Sequence, residues 1–143
     1  MKEYVSTATV EASADEVWAV LTDGGAYAEW NPEITGIDGR LALGETVRAR
    51  VRLGSGVVRV VPQRVVVFNP PDRMEWIGGL PMRLFVGRRI YTVTPRATGA
   101  EFCLRVQMSG LLAPLILKSV GDRQPELDSF TKALKARVEQ RAR

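Results

Sequence analysis

The apolar positions of the last third of the chain organise the rest. Leu127, Phe130, Leu134 and Val138 recur at steps of three and four, which puts them on one face of an α-helix. Ile116 and Val120 extend that stripe upstream, with one polar interruption at Gln124. Lys132, Lys135, Glu139 and Arg143 take the opposite face, and Asp128–Lys132 is an i,i+4 pair in the favourable order. Pro125 lacks an N–H, and its ring crowds the carbonyl of Gly121 four residues back. The spacing therefore predicts either one helix kinked near Gly121–Pro125 or two helices meeting there. Pro114 stands where a first helical turn would begin.

Before this segment the pattern alternates with the period of strands. Residues 3–11 are β-branched and alternating, a first strand. Ser13 and Glu16 have the spacing of a capping box, and Val17, Trp18, Val20 and Leu21 give the helix behind it an apolar side. Asp23 is the expected cap of a second short helix holding Ala26 and Tyr27. Trp30-Asn31-Pro32 ends it, because Pro32 pushes Asn31 toward extended geometry. Strands are then expected at about 34–38, 45–53, 57–68, 73–77, 83–95 and 101–109. Gly54-Ser55-Gly56, Asn69 to Asp72 and Ala97 to Ala100 form the turns, and Gly78 to Pro81 a loop. Pro62 inside a strand argues for a bulge or an edge, and a second bulge is expected at Gly87.

Connections of hairpin length imply antiparallel pairing. The amphipathic helix must bury its stripe against the only large apolar surface, the sheet. The expected fold is α+β: a curved, mainly antiparallel sheet wrapped around a long C-terminal helix, with two short helices after the first strand. Residues 1–143 form a single domain. A curved sheet closed by a helix leaves a cavity between them.

Composition narrows the chemistry. The chain has no histidine and one cysteine, Cys103. That excludes Ser-His-Asp and Cys-His catalysis, histidine- or thiolate-ligated zinc and an internal disulfide. No metal and no cofactor are expected. No apolar run reaches the roughly 20 residues of a membrane span, and no signal-peptide core is visible, so the expected setting is cytoplasmic without integral membrane association. The net charge of +4 reads as a basic surface. Arg48, Arg50 and Arg52 share one strand face, but no aromatic residues are interleaved to stack bases, so no nucleic acid is expected as partner. Oligomeric state is not encoded in these patterns.

Several local motifs resemble the START-like helix-grip superfamily, also called SRPBCC, whose members include polyketide cyclase/dehydrase and lipid-transport proteins. They are the run Ala14 to Asp23, Tyr27 with Trp30-Asn31-Pro32, Pro70-Pro71 with Met74-Glu75-Trp76, Gly87, and Ser109 to Leu112 leading into the last helix. The resemblance spans nearly the whole chain. It implies a deep, mostly apolar pocket between sheet and long helix for a hydrophobic small molecule. Relatives often carry Glu-His after the glycine of the penultimate strand and a Glu before an aromatic in the last strand. This chain has Arg88-Arg89, and Val106 with Met108. No acid–base pair is carried over at these positions.

The expected ligand-binding residues are Trp30, Asn31, Trp76, Phe85, Arg89, Tyr91, Phe102 and Met108, weighed against plain core packing. Asn31 and Trp30 lie over the expected entrance, where a rigid helix end is the preferred reading. Arg89 shares strand parity with Phe85, Tyr91 and Val93 and should point inward, where it needs an anion. That anion is either an internal carboxylate, Glu45 being the best by alternation, or the polar end of a ligand. Asp23, Glu33 and Asp38 form no carboxylate pair that can be placed, so no catalytic residue is proposed. The first functional reading is a non-catalytic carrier of a hydrophobic or amphiphilic, lipid- or polyketide-like molecule. The second is a polyketide cyclase/dehydrase-like enzyme working through cavity shape. The third is a co-chaperone-like protein-interaction module.

Overall fold

The computed structural model describes residues 1–143. Seven strands run from Lys2–Val10 (β1) through Ile34–Asp38 (β2), Thr46–Arg52 (β3), Val58–Asn69 (β4), Arg73–Leu80 (β5) and Phe85–Arg96 (β6) to Gly99–Ser109 (β7). They form one antiparallel sheet in the order β1-β7-β6-β5-β4-β3-β2. Strands β2 to β7 are laid down as consecutive neighbours, and β7 then closes on β1 in unbroken register from Lys2↔Met108 to Val10↔Ala100. Consecutive β1 and β2 thus lie at opposite edges. The chain crosses between them through α1 (Ala14–Thr22), a 3-10 turn at Gly24–Ala26 and α2 (Tyr27–Trp30).

The start of α1 is the expected capping box: Ser13 Oγ accepts the Glu16 N–H at 3.1 Å, and Glu16 Oε1 accepts the Ser13 N–H at 3.0 Å. Asp23 does not cap the next element with its side chain. That turn is held instead from within the core, where the fully buried Tyr27 donates its hydroxyl to the Leu21 carbonyl.

Curvature comes from places other than those expected. Gly87 pairs with Gly78 and Met108 in unbroken register, and Pro62 opposes Arg48 without a shift. The register slips instead between Val65 and Val67 in β4 and between Ile34 and Gly36 in β2. Pro62 lies past the end of the β4–β5 pairing, which starts at Arg64↔Ile77, so its missing N–H breaks no bond on that side. Gly78 to Leu80, expected as loop, continue β5.

The C-terminal segment is two helices, α3 (Ala113–Val120) and α4 (Gln124–Ala142). Gly121 between them has φ +75°, a conformation that favours glycine, and Pro114 and Pro125 each stand in a first turn. The break splits the apolar stripe. Leu127, Phe130, Leu134 and Val138 are buried against the sheet, whereas Ile116 and Val120 on α3 are half-buried. No helix is long and apolar enough to cross a membrane.

Candidate functional site

Below Ile116 and Val120 lies a cavity of about 230 Å³. It is bounded by the start of β2, the inner faces of β3 to β7, α3 and the first turn of α4. Its volume is just under the roughly 300–1,000 Å³ common for ligand pockets. The wall is mostly apolar, with Ile34, Val51, Val61, Val106, Ile116 and Leu127 among its residues. Strand alternation turns Val51, Val61 and Val106 inward and sends Arg48, Arg52 and Val60 outward, while Ile116 and Leu127 reach in from the two helices. Gly87 widens the space: a Cβ there would stand 3.6 Å from the Phe85 ring and 3.8 Å from the Gly78 carbonyl oxygen, both ordinary contacts.

One end of the cavity is charged. Arg89 donates from Nη2 to Glu33 Oε1 at 2.8 Å and from Nη1 to Oε2 at 3.0 Å, while its Nε donates to the Tyr91 hydroxyl at 2.8 Å. Arg123, just before α4, donates from Nη2 to the same Glu33 Oε2 at 3.0 Å. All three charged residues are buried, the Glu33 side chain completely. The Arg89 guanidinium also sits 5.9, 5.5 and 5.7 Å from the ring centroids of Trp76, Tyr91 and Phe130, within cation–π range. Burial works against the charge on Arg89, but Glu33 and the Tyr91 hydroxyl outweigh it and its pKa is raised. Burial pushes the Tyr91 hydroxyl up as well. Both groups keep their protons across the physiological range.

The expected internal partner of Arg89 was Glu45; the observed one is Glu33. Glu45 is exposed and lies 3.9 Å from Arg40. The reason is local to β2. Asn31 Oδ1 accepts the N–H groups of Glu33 and Ile34 at 3.0 and 2.9 Å, and this turn aims Glu33 inward at the start of the strand.

Of the residues expected to bind ligand, Trp76, Phe85, Arg89 and Met108 lie on the cavity wall. Trp30, Asn31, Tyr91 and Phe102 do not. Phe130 of α4 fills the space in front of them: its ring centroid lies 5.7 Å from that of Trp30, 5.8 Å from Tyr91 and 6.2 Å from Phe102. Arg89 stands at the junction, bonded to the Tyr91 hydroxyl and 5.7 Å from the Phe130 ring centroid while lining the cavity. The Asn31 Oδ1 is taken up by the turn into β2, while its buried Nδ2 has no partner. Sequence reasoning missed Glu33, Gln63, Arg59 and Arg123 as wall residues. The inward arginine called for an inward acid, but alternation pointed to Glu45, and only the turn set by Asn31 brings Glu33 there instead. Arg123 carried none, being hidden in the break between Gly121 and Pro125.

Three wall residues carry a buried polar atom without a hydrogen-bond partner: Gln63 Oε1, Trp76 Nε1 and Arg123 Nη1. The Arg123 atom lies 3.9 Å from Glu126 Oε2, too far for a hydrogen bond. Native proteins leave few such atoms; three of this chain's seven lie on this wall, and the other four, on Asn31, Glu126, Thr131 and Arg137, lie off it.

The fold is shared with solved proteins of low identity. Zhui aromatase/cyclase from Streptomyces sp. R1128 superposes with a TM-score of 0.79 at 18% identity, covering 99% of this chain and 96% of that one. Protein MLL2253 from Mesorhizobium loti gives 0.73 at 19% identity, covering 99% of both chains. The di-domain ARO/CYC StfQ of the steffimycin biosynthetic pathway gives 0.71 at 15% identity; 98% of this chain matches 51% of that one. No curated protein matches the sequence. Residues 1–140 match the family described as polyketide cyclase / dehydrase and lipid transport. With the helix-grip arrangement of sheet and C-terminal helix, that match over nearly its whole length makes this chain a member of the polyketide cyclase/dehydrase and lipid-transport family.

Proposed function

We propose that the protein binds a small amphiphilic molecule, lipid- or polyketide-like, in the cavity beneath α3. The observation that carries this reading is the coincidence, in one apolar cavity, of three unpartnered polar atoms from Gln63, Trp76 and Arg123. An apolar body would cover the aliphatic wall, and polar atoms on it would meet those two donors and one acceptor. Arg89 has a supporting role: its guanidinium fork is taken up by Glu33 and Tyr91 and shapes one end of the cavity.

Family membership is compatible with a cyclase-type enzyme as well. Such an enzyme would act by folding a flexible chain inside the same cavity. The binding reading stands first because both Glu33 oxygens already accept guanidinium hydrogen bonds, and the chain has no imidazole to move a proton.

Native mass spectrometry of the purified protein tests the reading. The expected result is a co-purified or added small molecule bound one to one, and lost in Gly87→Leu, whose side chain would occupy the cavity. An adduct retained in full by Gly87→Leu would locate binding elsewhere.

A further inference from the structure

Four of the ten exposed large apolar side chains are gathered at one end of the molecule. Met82 is 85% exposed, Leu111 82%, Leu115 64% and Leu80 46%. They come from two segments that touch: the β5–β6 connection and the start of α3. The Leu112 N–H donates to the Leu84 carbonyl at 2.7 Å, and Gly110 packs against the carbonyls of Arg83 and Leu84. The same segments supply Gly79, Phe85, Ile116 and Val120 to the cavity wall, so the exposed tips lie beside the cavity.

The loop that presents Met82 is held in an unusual way. Met82 and Arg83 both have φ +57°, a left-handed conformation costly for a residue with a side chain. Met82 is 85% exposed, so little burial of its side chain offsets that cost.

The two segments that carry the tips bear positive charge only. No carboxylate occurs between Glu75 and Glu101, nor between Glu101 and Asp122. Arg83 and Lys118 are exposed among the tips, and Lys2 lies across a shallow groove from Gly110 and Pro114. None of the three takes part in an ion pair. A second copy docked patch to patch would set these cations against themselves. Interface hot spots are enriched in Trp, Tyr and Arg, and none of the four tips is aromatic. Aliphatic tips ringed by cations fit a surface that is negative outside and hydrocarbon inside.

We propose that Leu80, Met82, Leu111 and Leu115, ringed by Lys2, Arg83 and Lys118, seat the end of the molecule beside the cavity on an anionic lipid surface. This docking is peripheral and independent of what the cavity holds.

Vesicle flotation tests it, with phosphatidylcholine vesicles and with the same vesicles containing phosphatidylglycerol. Wild type should float with the anionic vesicles and bind the neutral ones about tenfold more weakly or worse. Molar salt should weaken binding by a similar factor. The variant Met82→Ser/Leu111→Ser/Leu115→Ser should lose about tenfold or more in vesicle affinity. Its melting temperature should be unchanged, because all three side chains are exposed. Failure of wild type to float with anionic vesicles overturns the proposal, as does equal binding by the triple variant. Wild-type dimers in sedimentation that the triple variant dissolves would assign the patch to a second copy instead.

Discussion

Arg89 and Glu33 stand 56 residues apart in sequence and meet as a buried two-pronged pair, at 2.8 and 3.0 Å. Glu33 also accepts from Arg123, so one carboxylate answers two guanidiniums and ties β6, β2 and the approach to α4 together. Removing a buried partner leaves charges without compensation. Glu33→Ala should therefore cost about 3–5 kcal/mol in denaturant unfolding. Adding Arg89→Met should cost less than the two single losses summed. Additive losses would mean that the two residues do not stabilise each other.

Glu75, on the outer face of β5, accepts from Arg73 Nε at 2.5 Å and from Arg88 Nη1. Burial pushes its carboxyl up, but the hydrogen bonds and charges of the two arginines outweigh that and lower its pKa below 4.5. A carboxyl with a lowered folded pKa stabilises above its unfolded pKa, and the contribution disappears as pH falls through the folded value. The stability difference between wild type and Glu75→Gln should be constant near neutrality and shrink below about pH 4.5. A difference that grows as the pH is lowered would contradict this.

The split of the C-terminal stripe makes a paired prediction. Leu134 is fully buried against the sheet, so Leu134→Ala should cost about 2–5 kcal/mol. Ile116 faces the cavity and is half-buried, so Ile116→Ala should cost about 1 kcal/mol or less. Equal losses would mean that α3 packs as α4 does.

These contrasts show which parts of the molecule the sequence made legible. The strands, the Ser13–Glu16 capping box and the buried face of α4 were readable because each depends on neighbours within a few residues. The two-helix end was left open because Pro125 is read either as a kink or as a first-turn residue, and Gly121 decides only through its φ. The bulge at Val65/Val67 was invisible, since nothing in that apolar run marks an extra residue. In the site, strand parity put Trp76, Phe85, Arg89 and Met108 on the inner face, where the cavity lies. Parity also put Tyr91 and Phe102 there, yet Phe130 arrives from 28 residues beyond Phe102 to cover them. Which inward residues meet a cavity and which meet a helix depends on where α4 begins, a long-range fact.

The central claim is that the cavity beneath α3 takes an amphiphilic small molecule. Its most direct test is a titration with 2-naphthol, an apolar bicyclic body with one hydroxyl, followed through tryptophan fluorescence because Trp76 lines the wall. Wild type should show saturable one-to-one binding, and Gly87→Leu, its folding intact, should bind about tenfold more weakly or worse. Saturable binding of equal strength in both proteins, or none in wild type, would contradict it.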